Sequence, residues 1–544
     1  PAGAILAVAV QRTGSDAGIR TVERTAQLAA GPRPTVTDGA RDLDGADAAG
    51  FDRVLSEHRA AWAARWDGVD VRIPDDPAAQ LGLRFVLFHL WGVTGDADEL
   101  AVGARGLTGT GYAGHVFWDA DVFVLPALVS IDPAAARAMV QYRIARLPAA
   151  RQEARRRGLR GARFPWESAV GGEDVTPTSG LLGGVTVPIR TGELEEHVTA
   201  DVAWAAVHYA RWTDDPEFLS HAARPLLRDT ARYWASRIRV DVAGRGHIDD
   251  VIGPDEYHEH VDDNVFTNVM ARWNLRAAAE LAADRTGLDD IDDIDDIDDL
   301  DDLDDETARW RDLADRIVEL RDPVTGVHEQ FAGYHRLEPL GLADIATGPV
   351  AADALLGRER TSGSQLVKQP DVLMVHHLVP DEVPGSLDAD LDHYGPRTTH
   401  GSSLSLATTA ALLARAGRTV EALAALRLVL DLDRSDLSGT TSAGLHMATL
   451  GGAWQAVLHG FAGVSVAGTT VCVDPHLPDE WPSLEIRFWC LGRRIRLEVG
   501  PEAIRLSTDR PVAVRVLAGP TTWVDHVVEV PRTDPCRSAP SSGP

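Results

Sequence analysis

After Asp75-Asp76-Pro77, apolar residues recur at three- and four-residue spacing in one segment after another. Residues 81–90, 134–154, 199–212, 217–238, 271–283 and 403–432 all carry this period. The short apolar strands that a parallel sheet would need between them are missing. The intervening loops are rich in Gly, Pro, Trp, His and acids. Helices joined by such loops predict a helical barrel or toroid whose site is built by loops at one end.

The flanks read differently. Residues 4–10 form a strand pattern, and residues 31–50 read as turns and loop. A helix pattern runs through Phe51, Val54, Leu55, His58 and Trp62 to near Trp66. After about Gly468 the period changes to two. Leu484, Ile486 and Phe488 alternate with polar residues, Gly492-Arg493 makes a turn, and Ile495, Leu497 and Val499 continue the alternation. This is the signature of a small antiparallel β domain. The last dozen residues, rich in Pro, Ser and Gly, read as disordered.

The formal charge of −29 argues against nucleic acid or an anionic membrane as partner. Part of that charge sits in residues 289–306, which hold 12 Asp and one Glu and no Lys or Arg. This tract lacks the glycine turn and mixed ligands of a calcium loop, so it reads as a solvated insertion. Cys472, Cys490 and Cys536 form no CxxC pair and no disulfide framework, which fits a reducing, cytoplasmic setting. There is no run of about 18 apolar residues to span a membrane, and no signal peptide is seen.

Several loop motifs carry chemistry. Gly109-Thr-Gly111-Tyr-Ala-Gly114 matches a dinucleotide pattern, but no strand precedes it and no βαβ unit follows. Its glycines are expected to let a loop fold tightly beside His115-Val-Phe117-Trp118-Asp119. An aromatic next to an acid suits a sugar, whose apolar face stacks on the ring while its hydroxyls donate to the carboxylate. Phe164-Pro-Trp166-Glu167 repeats that pairing. Either pair alone could be a core aromatic beside a surface acid. In Ile252-Gly-Pro-Asp255-Glu256-Tyr257-His258, Gly-Pro forces a turn and places the carboxylates on a loop. His258 and His260 lack a third ligand at convincing spacing, so no metal site is expected. Lys368-Gln369 is a further sugar-hydroxyl pair. Thr399-His400-Gly401-Ser402-Ser403 precedes a helix, and Leu445-His446 stands before Gly451-Gly452. Hydroxyls and imidazole at helix N-termini make an anion cradle, although Ser402-Ser403 taken alone reads first as a plain N-cap.

The ordered set of segments resembles glycoside hydrolase family 65, the maltose, trehalose, kojibiose and nigerose phosphorylases and their hydrolytic relatives. The matching stretches are GHVFWDADVFVLP, GARFPWESAVGGEDVTP, HVTADVAWAAVHYARWTDDPEFL, VIGPDEYHEHVDDNVFTNVMARWNL, KQPDVLM, PRTTHGSSLSLA and LHMATLGGAWQAVLHGFAG, with LPDEWPSLEIRFWCLGRRIRLEV toward the C-terminus. The resemblance implies a mainly α chain: an (α/α)6-barrel catalytic domain with a small C-terminal antiparallel β domain and the remnant of an N-terminal β-sandwich. The boundaries are then 1–49 for the sandwich remnant, 50–75 for a helical linker and 76–467 for the barrel, with the acidic insertion at 289–306. Residues 468–531 would be the C-terminal β domain and 532–544 a disordered tail.

It also implies inverting phosphorolysis of an α-glucosidic disaccharide to β-glucose 1-phosphate and a free sugar. Glu256 would be the general acid. Phe117, Trp118, Asp119, Trp166, Glu167, Lys368 and Gln369 would surround the glucosyl unit, and Lys368, Ser402, Ser403 and His446 the phosphate. No cofactor is implied beyond inorganic phosphate as co-substrate, and a homodimer is the family's assembly. An inverting hydrolase needs a second carboxylate to activate water, whereas phosphate is already a nucleophile. The sequence departs from the family at Gly395, where Glu is usual, and at Pro370, where Ala is usual. The competing readings are a hydrolase of the same family, cleaving trehalose or kojibiose with water, and a catalytically silent sugar-binding protein.

Overall fold

The computed structural model describes residues 4–16, 19–31, 36–95, 97–182, 184–283 and 300–532. It forms two compact units, Pro1–Asp70 and Val71–Pro544.

In the first unit, β1 (Ala4–Asp16) and β2 (Ile19–Gly31) pair antiparallel, with Ala4 opposite Gly31 and Asp16 opposite Ile19. The stretch read as turns and loop is instead helix α1 (Val36–Ala49). Its Gly39 and Gly45 pointed to loop, but alanines favour helix and Leu43 is buried at 3% exposure, so packing on the hairpin prevails over the glycines. Helix α2 (Phe51–Gly68) matches the apolar stripe from Phe51 and contains no buried residue.

The second unit begins its helices with a repeated device. Asp76 accepts from the Ala79 N–H at 2.9 Å at the start of α3 (Pro77–Gly92). Asp132 accepts from Ala135 N–H at 3.2 Å at the start of α5 (Pro133–Ala145), which follows α4 (Leu125–Ile131). In each, a proline fills the first helical position, where its missing N–H costs nothing. The pattern over 134–154 breaks at Arg146, because Pro148 restarts the chain as α6 (Leu147–Arg156). The remaining helices of eight or more described residues are α7 (Val198–Thr213), α8 (Arg224–Arg237), α9 (Val265–Ala283), α10 (Leu300–Arg316), α11 (Asp371–Leu378), α12 (Leu387–Tyr394), α13 (Ser405–Arg415), α14 (Thr419–Asp431) and α15 (Met447–Gln455). The pattern over 217–238 breaks before Pro225. That over 403–432 breaks at Gly417, whose φ of 75° no helix continues.

Helices α4, α7, α9, α11, α13 and α15 each pack on the next, and α15 returns to α4, so the ring closes. Helices α3, α5, α8, α10, α12 and α14 alternate with them in sequence and pack outside. This is an (α/α)6 barrel. Every residue of α4 and of α15 is buried, as an inner helix requires. The acidic tract is corrected at its end: residues 300–306 belong to α10, and Glu306 accepts from Arg160 at 3.0 Å and Arg232 at 2.9 Å. The rest of the tract, the tail beyond 532 and Cys536 lie outside the described residues.

The C-terminal β domain starts with β3 (Val464–Ala467) and β4 (Thr470–Val473), slightly before Gly468. β5 (Leu484–Cys490), β6 (Arg493–Val499), β7 (Ala503–Thr508) and β10 (Val527–Pro531) pair antiparallel in that order. Ile486, Phe488, Ile495, Leu497, Ile504 and Leu506 fill its core. A second sheet has the order β9 (Thr522–Val524), β8 (Val512–Val516), β4, β3. Its β8–β4 pair is parallel, the one departure there from the antiparallel expectation. Among the described residues, no helix is long and apolar enough to cross a membrane.

Candidate active site

Each chemical motif of the sequence precedes an inner helix. Asp119 comes before α4, Trp166-Glu167 before α7, Glu256 before α9, Lys368 before α11, Ser402-Ser403 before α13 and His446 before α15. The loops at the N-terminal ends of the inner ring therefore build one cavity of about 880 Å³. Helix N-termini offer free N–H groups and partial positive charge, which suits an anion.

The Glu256 loop is fixed by its neighbour. Val251 and Val261 exchange backbone hydrogen bonds of 2.9 Å across the loop's base. Gly253 has no room for a side chain, since a Cβ would lie 2.2 Å from Asp371 Oδ2 and 2.4 Å from Asn264 Nδ2. Asp255 is buried and accepts from the Lys368 backbone N–H at 2.7 Å and from Gln330 Nε2 at 2.8 Å. His258 Nδ1 lies 2.6 Å from the same carboxylate, and its Nε2 lies 2.9 Å from the Ser364 carbonyl. Both ring nitrogens thus face acceptors. Burial works against the His258 charge, but Asp255 outweighs it and raises the imidazole above its ordinary range. The Asp255 N–H donates to Asp371 Oδ1 at 2.7 Å. Burial, then the charge of Asp255, pushes Asp371 above the usual carboxylate range.

With Asp255 turned inward, Glu256 faces the cavity, where Lys368 Nζ donates to its Oε1 at 2.6 Å. Burial opposes the Lys368 charge, but the Glu256 carboxylate overcomes it and holds the ammonium above the usual lysine range. Gln369 does not line the cavity. Its side-chain N–H donates to the Pro254 carbonyl, and its carbonyl accepts from Ser402 Oγ at 3.1 Å, so it ties the Glu256 loop to the serine loop.

The aromatic wall lies on α4 and α7 loops joined by paired hydrogen bonds of 3.1 and 2.9 Å between Val116 and Ser168. Tyr112, Phe117 and Trp166 meet edge to face, with centroids 5.1 and 5.8 Å apart. Glu167 Oε1 lies 2.7 Å from His115 Nδ1. Asp119 is pushed up to about 7, chiefly by burial, with the charges of Glu256 and Asp121 adding and Lys368 opposing. Gly109 and Gly111 are the tight loop expected beside this wall: a Cβ on Gly109 would lie 2.2 Å from the Arg105 carbonyl oxygen.

Beneath the wall is a buried charge layer that the sequence did not signal. The His197 ring packs edge-on against Trp118 at 5.0 Å and Trp166 at 6.1 Å. Its Nδ1 lies 2.7 Å from Asp201 and its Nε2 3.3 Å from Glu195. Burial opposes its charge, yet Asp201 and Glu195 push it up to about 10. Glu195 is pushed up to about 8, first by burial and partly by the charge of Glu256. Arg143 donates to Asp121 at 2.5 Å and to the Phe117 carbonyl at 3.2 Å.

On the opposite side, His446 Nδ1 lies 2.7 Å from Asp433, which leaves Nε2 toward Thr440 Oγ1 at 3.3 Å. Ser402 Oγ accepts from the Leu404 N–H at 3.2 Å. Arg105, which the sequence reading missed, lines the same cavity and donates to the Gly444 carbonyl at 3.2 Å and Thr440 Oγ1 at 3.3 Å. The structure therefore brings together Phe117, Trp118, Asp119, Trp166, Glu167, Glu256, Lys368, Ser402, Ser403 and His446, and sets Gln369 behind them. The arrangement offers a carboxyl group, an aromatic and acidic wall, and a set of cationic and hydroxyl donors in one place.

The central catalytic domain of glycosyl hydrolase family 65 matches residues 84–455, and that family's C-terminal domain matches residues 464–517. The kojibiose phosphorylase of Halothermothrix orenii is 35% identical over 86% of this chain and 60% of its own length. The α,α-trehalose phosphorylase of Geobacillus stearothermophilus is 33% identical over 81% of this chain and 56% of its own. The chain thus spans about 60% of the length of the curated relatives it matches. A solved structure from the human microbiome, provisionally named a kojibiose phosphorylase, has the same fold, with a TM-score of 0.85 at 21% identity over 97% of this chain and 74% of that one.

Proposed function

We propose that this chain, which belongs to glycosyl hydrolase family 65, cleaves an α-glucosidic disaccharide by inverting phosphorolysis. The observation that carries the proposal is the Lys368–Glu256 contact of 2.6 Å in a cavity shared with Ser402, Ser403, His446 and Arg105.

The glucosyl ring stacks on the wall of Phe117, Trp118 and Trp166, and its hydroxyls donate to Asp119 and Glu167. Phosphate binds among Lys368, Ser402, Ser403, His446 and Arg105. A phosphate oxygen bonds to the anomeric carbon from the face opposite the departing oxygen. The glycosidic C–O bond breaks, and the Glu256 proton passes to the departing oxygen, which leaves as a sugar hydroxyl. Lys368 then has two anions to hold, Glu256 and phosphate. The products are β-glucose 1-phosphate and a free sugar, with no cofactor beyond phosphate in the scheme.

Asp119 and Glu167 give a specific reason to test hydrolysis, since either could in principle serve as the base for water. Kojibiose is the first substrate to try, followed by trehalose, nigerose and maltose. With phosphate present, the expected product is β-glucose 1-phosphate, read by NMR of the anomeric proton. Equal cleavage without phosphate, yielding free glucose alone, would replace this reading with that of a hydrolase.

A further inference from the structure

Behind the active-site loops, three ligand atoms from three elements converge. His328 Nδ1, from the segment after α10, lies 2.9 Å from Asp390 Oδ2 on α12. His376 Nε2, on α11, lies 2.8 Å from that same oxygen. His328 and Asp390 are fully buried and His376 is nearly so. The three atoms all fall within 4.8 Å of one another. Ser386 Oγ stands 3.3 Å from His376 Nε2.

Hydrogen bonds alone satisfy this cluster only if His328 carries a charge. For His328 to donate from Nδ1, a neutral ring must leave Nε2 bare. Among the described residues that buried Nε2 makes no aligned hydrogen bond, and Glu319 Oε1 stands 3.4 Å from it. A bare nitrogen facing a carboxylate is repulsive, and a doubly protonated ring is a buried cation that Asp390 and Glu319 must hold between them.

We infer that His328, His376 and Asp390 bind one divalent transition-metal ion, of which zinc is the best fit. The ring proton of His328 then sits on Nε2, on the side of Glu319, while the Nδ1 lone pair meets the metal. This is the carboxylate–histidine–metal arrangement, with Glu319 as the supporting carboxylate. Two imidazoles and one carboxylate suit a borderline-soft ion and not magnesium or calcium. Ser386 Oγ or one water completes a tetrahedron. Metal–ligand bonds of about 2.0–2.1 Å require the ligand atoms to spread by roughly half an ångström from their present spacing. The buried setting makes this a structural site. It would clamp α11, which follows Lys368 and Gln369, to α12 and to the 328 segment. It is separate from the cavity, and its test does not depend on the proposed activity.

The full chain is dialysed against a chelator, reloaded with zinc, freed of excess and assayed for metal by mass spectrometry. One zinc ion per chain is expected, and cobalt loading should give the intense visible bands of a tetrahedral site. D390N should lose the ion. E319Q, which leaves the ligands in place, should bind zinc about 10- to 100-fold more weakly, and this holds even if D390N does not fold. Only trace zinc in the unaltered chain, zinc held as tightly by D390N, or unchanged zinc affinity in E319Q would each overturn the inference, leaving a hydrogen-bonded triad only.

Discussion

Lys368 Nζ donates to Glu256 Oε1 at 2.6 Å, although 112 residues separate the two in sequence. The pair is placed by Asp255, which accepts the backbone N–H of Lys368 at 2.7 Å and immediately precedes Glu256. One buried carboxylate therefore sets both the candidate acid and the cation that steadies it.

Replacing the acid separates chemistry from binding. Glu256→Gln keeps the shape of the side chain but cannot give up a proton. Turnover with kojibiose and phosphate is expected to fall by about a hundred- to ten-thousandfold. Calorimetric binding of the disaccharide should persist. Turnover close to the unaltered chain's would remove Glu256 from the acid role.

The anion side should respond differently. His446 is oriented by Asp433 at 2.7 Å and presents Nε2 to the cavity side. His446→Ala should raise KM for phosphate by about tenfold or more, the scale of one lost hydrogen bond to a charged group. KM for the disaccharide should change little. The opposite split in initial-rate data would move His446 out of the phosphate cradle.

Glu195 predicts a pH effect on stability. Burial lifts its folded-state value from 4.5 to about 8. Between these values the folded chain binds more protons at this site than the unfolded chain. Stability from this group is thus full below about pH 4.5 and falls as pH rises toward about 8. Glu195→Gln removes that dependence. Urea unfolding across this range should show a shallower loss of stability in the variant, and parallel curves would exclude the raised value.

Gly253→Ala tests the close approach under the Glu256 loop. A methyl group there would lie 2.2 Å from Asp371 Oδ2, so the loop or Asp371 has to move. A loss of about 1–3 kcal/mol in unfolding free energy is expected, with a drop in kcat. A variant of normal stability and activity would show that the loop has slack.

Much of the site was legible because its pieces are short and contiguous. Gly-Pro before Asp255 fixed a loop, and the aromatic–acid pairs at Trp118-Asp119 and Trp166-Glu167 needed only local chemistry to be read. Arg105 was not legible, since its partner Gly444 lies 339 residues away. Gln369 was assigned to the sugar because its side-chain chemistry allowed it. Only the structure gives its amide to Pro254 and Ser402. The buried layer of His197, Glu195 and Asp201 reads in sequence as an ordinary charged helix start.

By itself, the sequence determined most of the elements from Phe51 onward. Helical period up to about Gly468, period two beyond it, and Asp-Pro pairs at Asp76 and Asp132 are local properties, set by which side chains recur and which backbone groups need partners. Tertiary structure alone decided the closure of the ring, the helical state of residues 36–49, and the meeting of six loops in one cavity. Those outcomes depend on contacts between residues far apart in the chain, whose cost in entropy is repaid only when the whole barrel is packed. The ion pair of Glu256 and Lys368 belongs to that second kind.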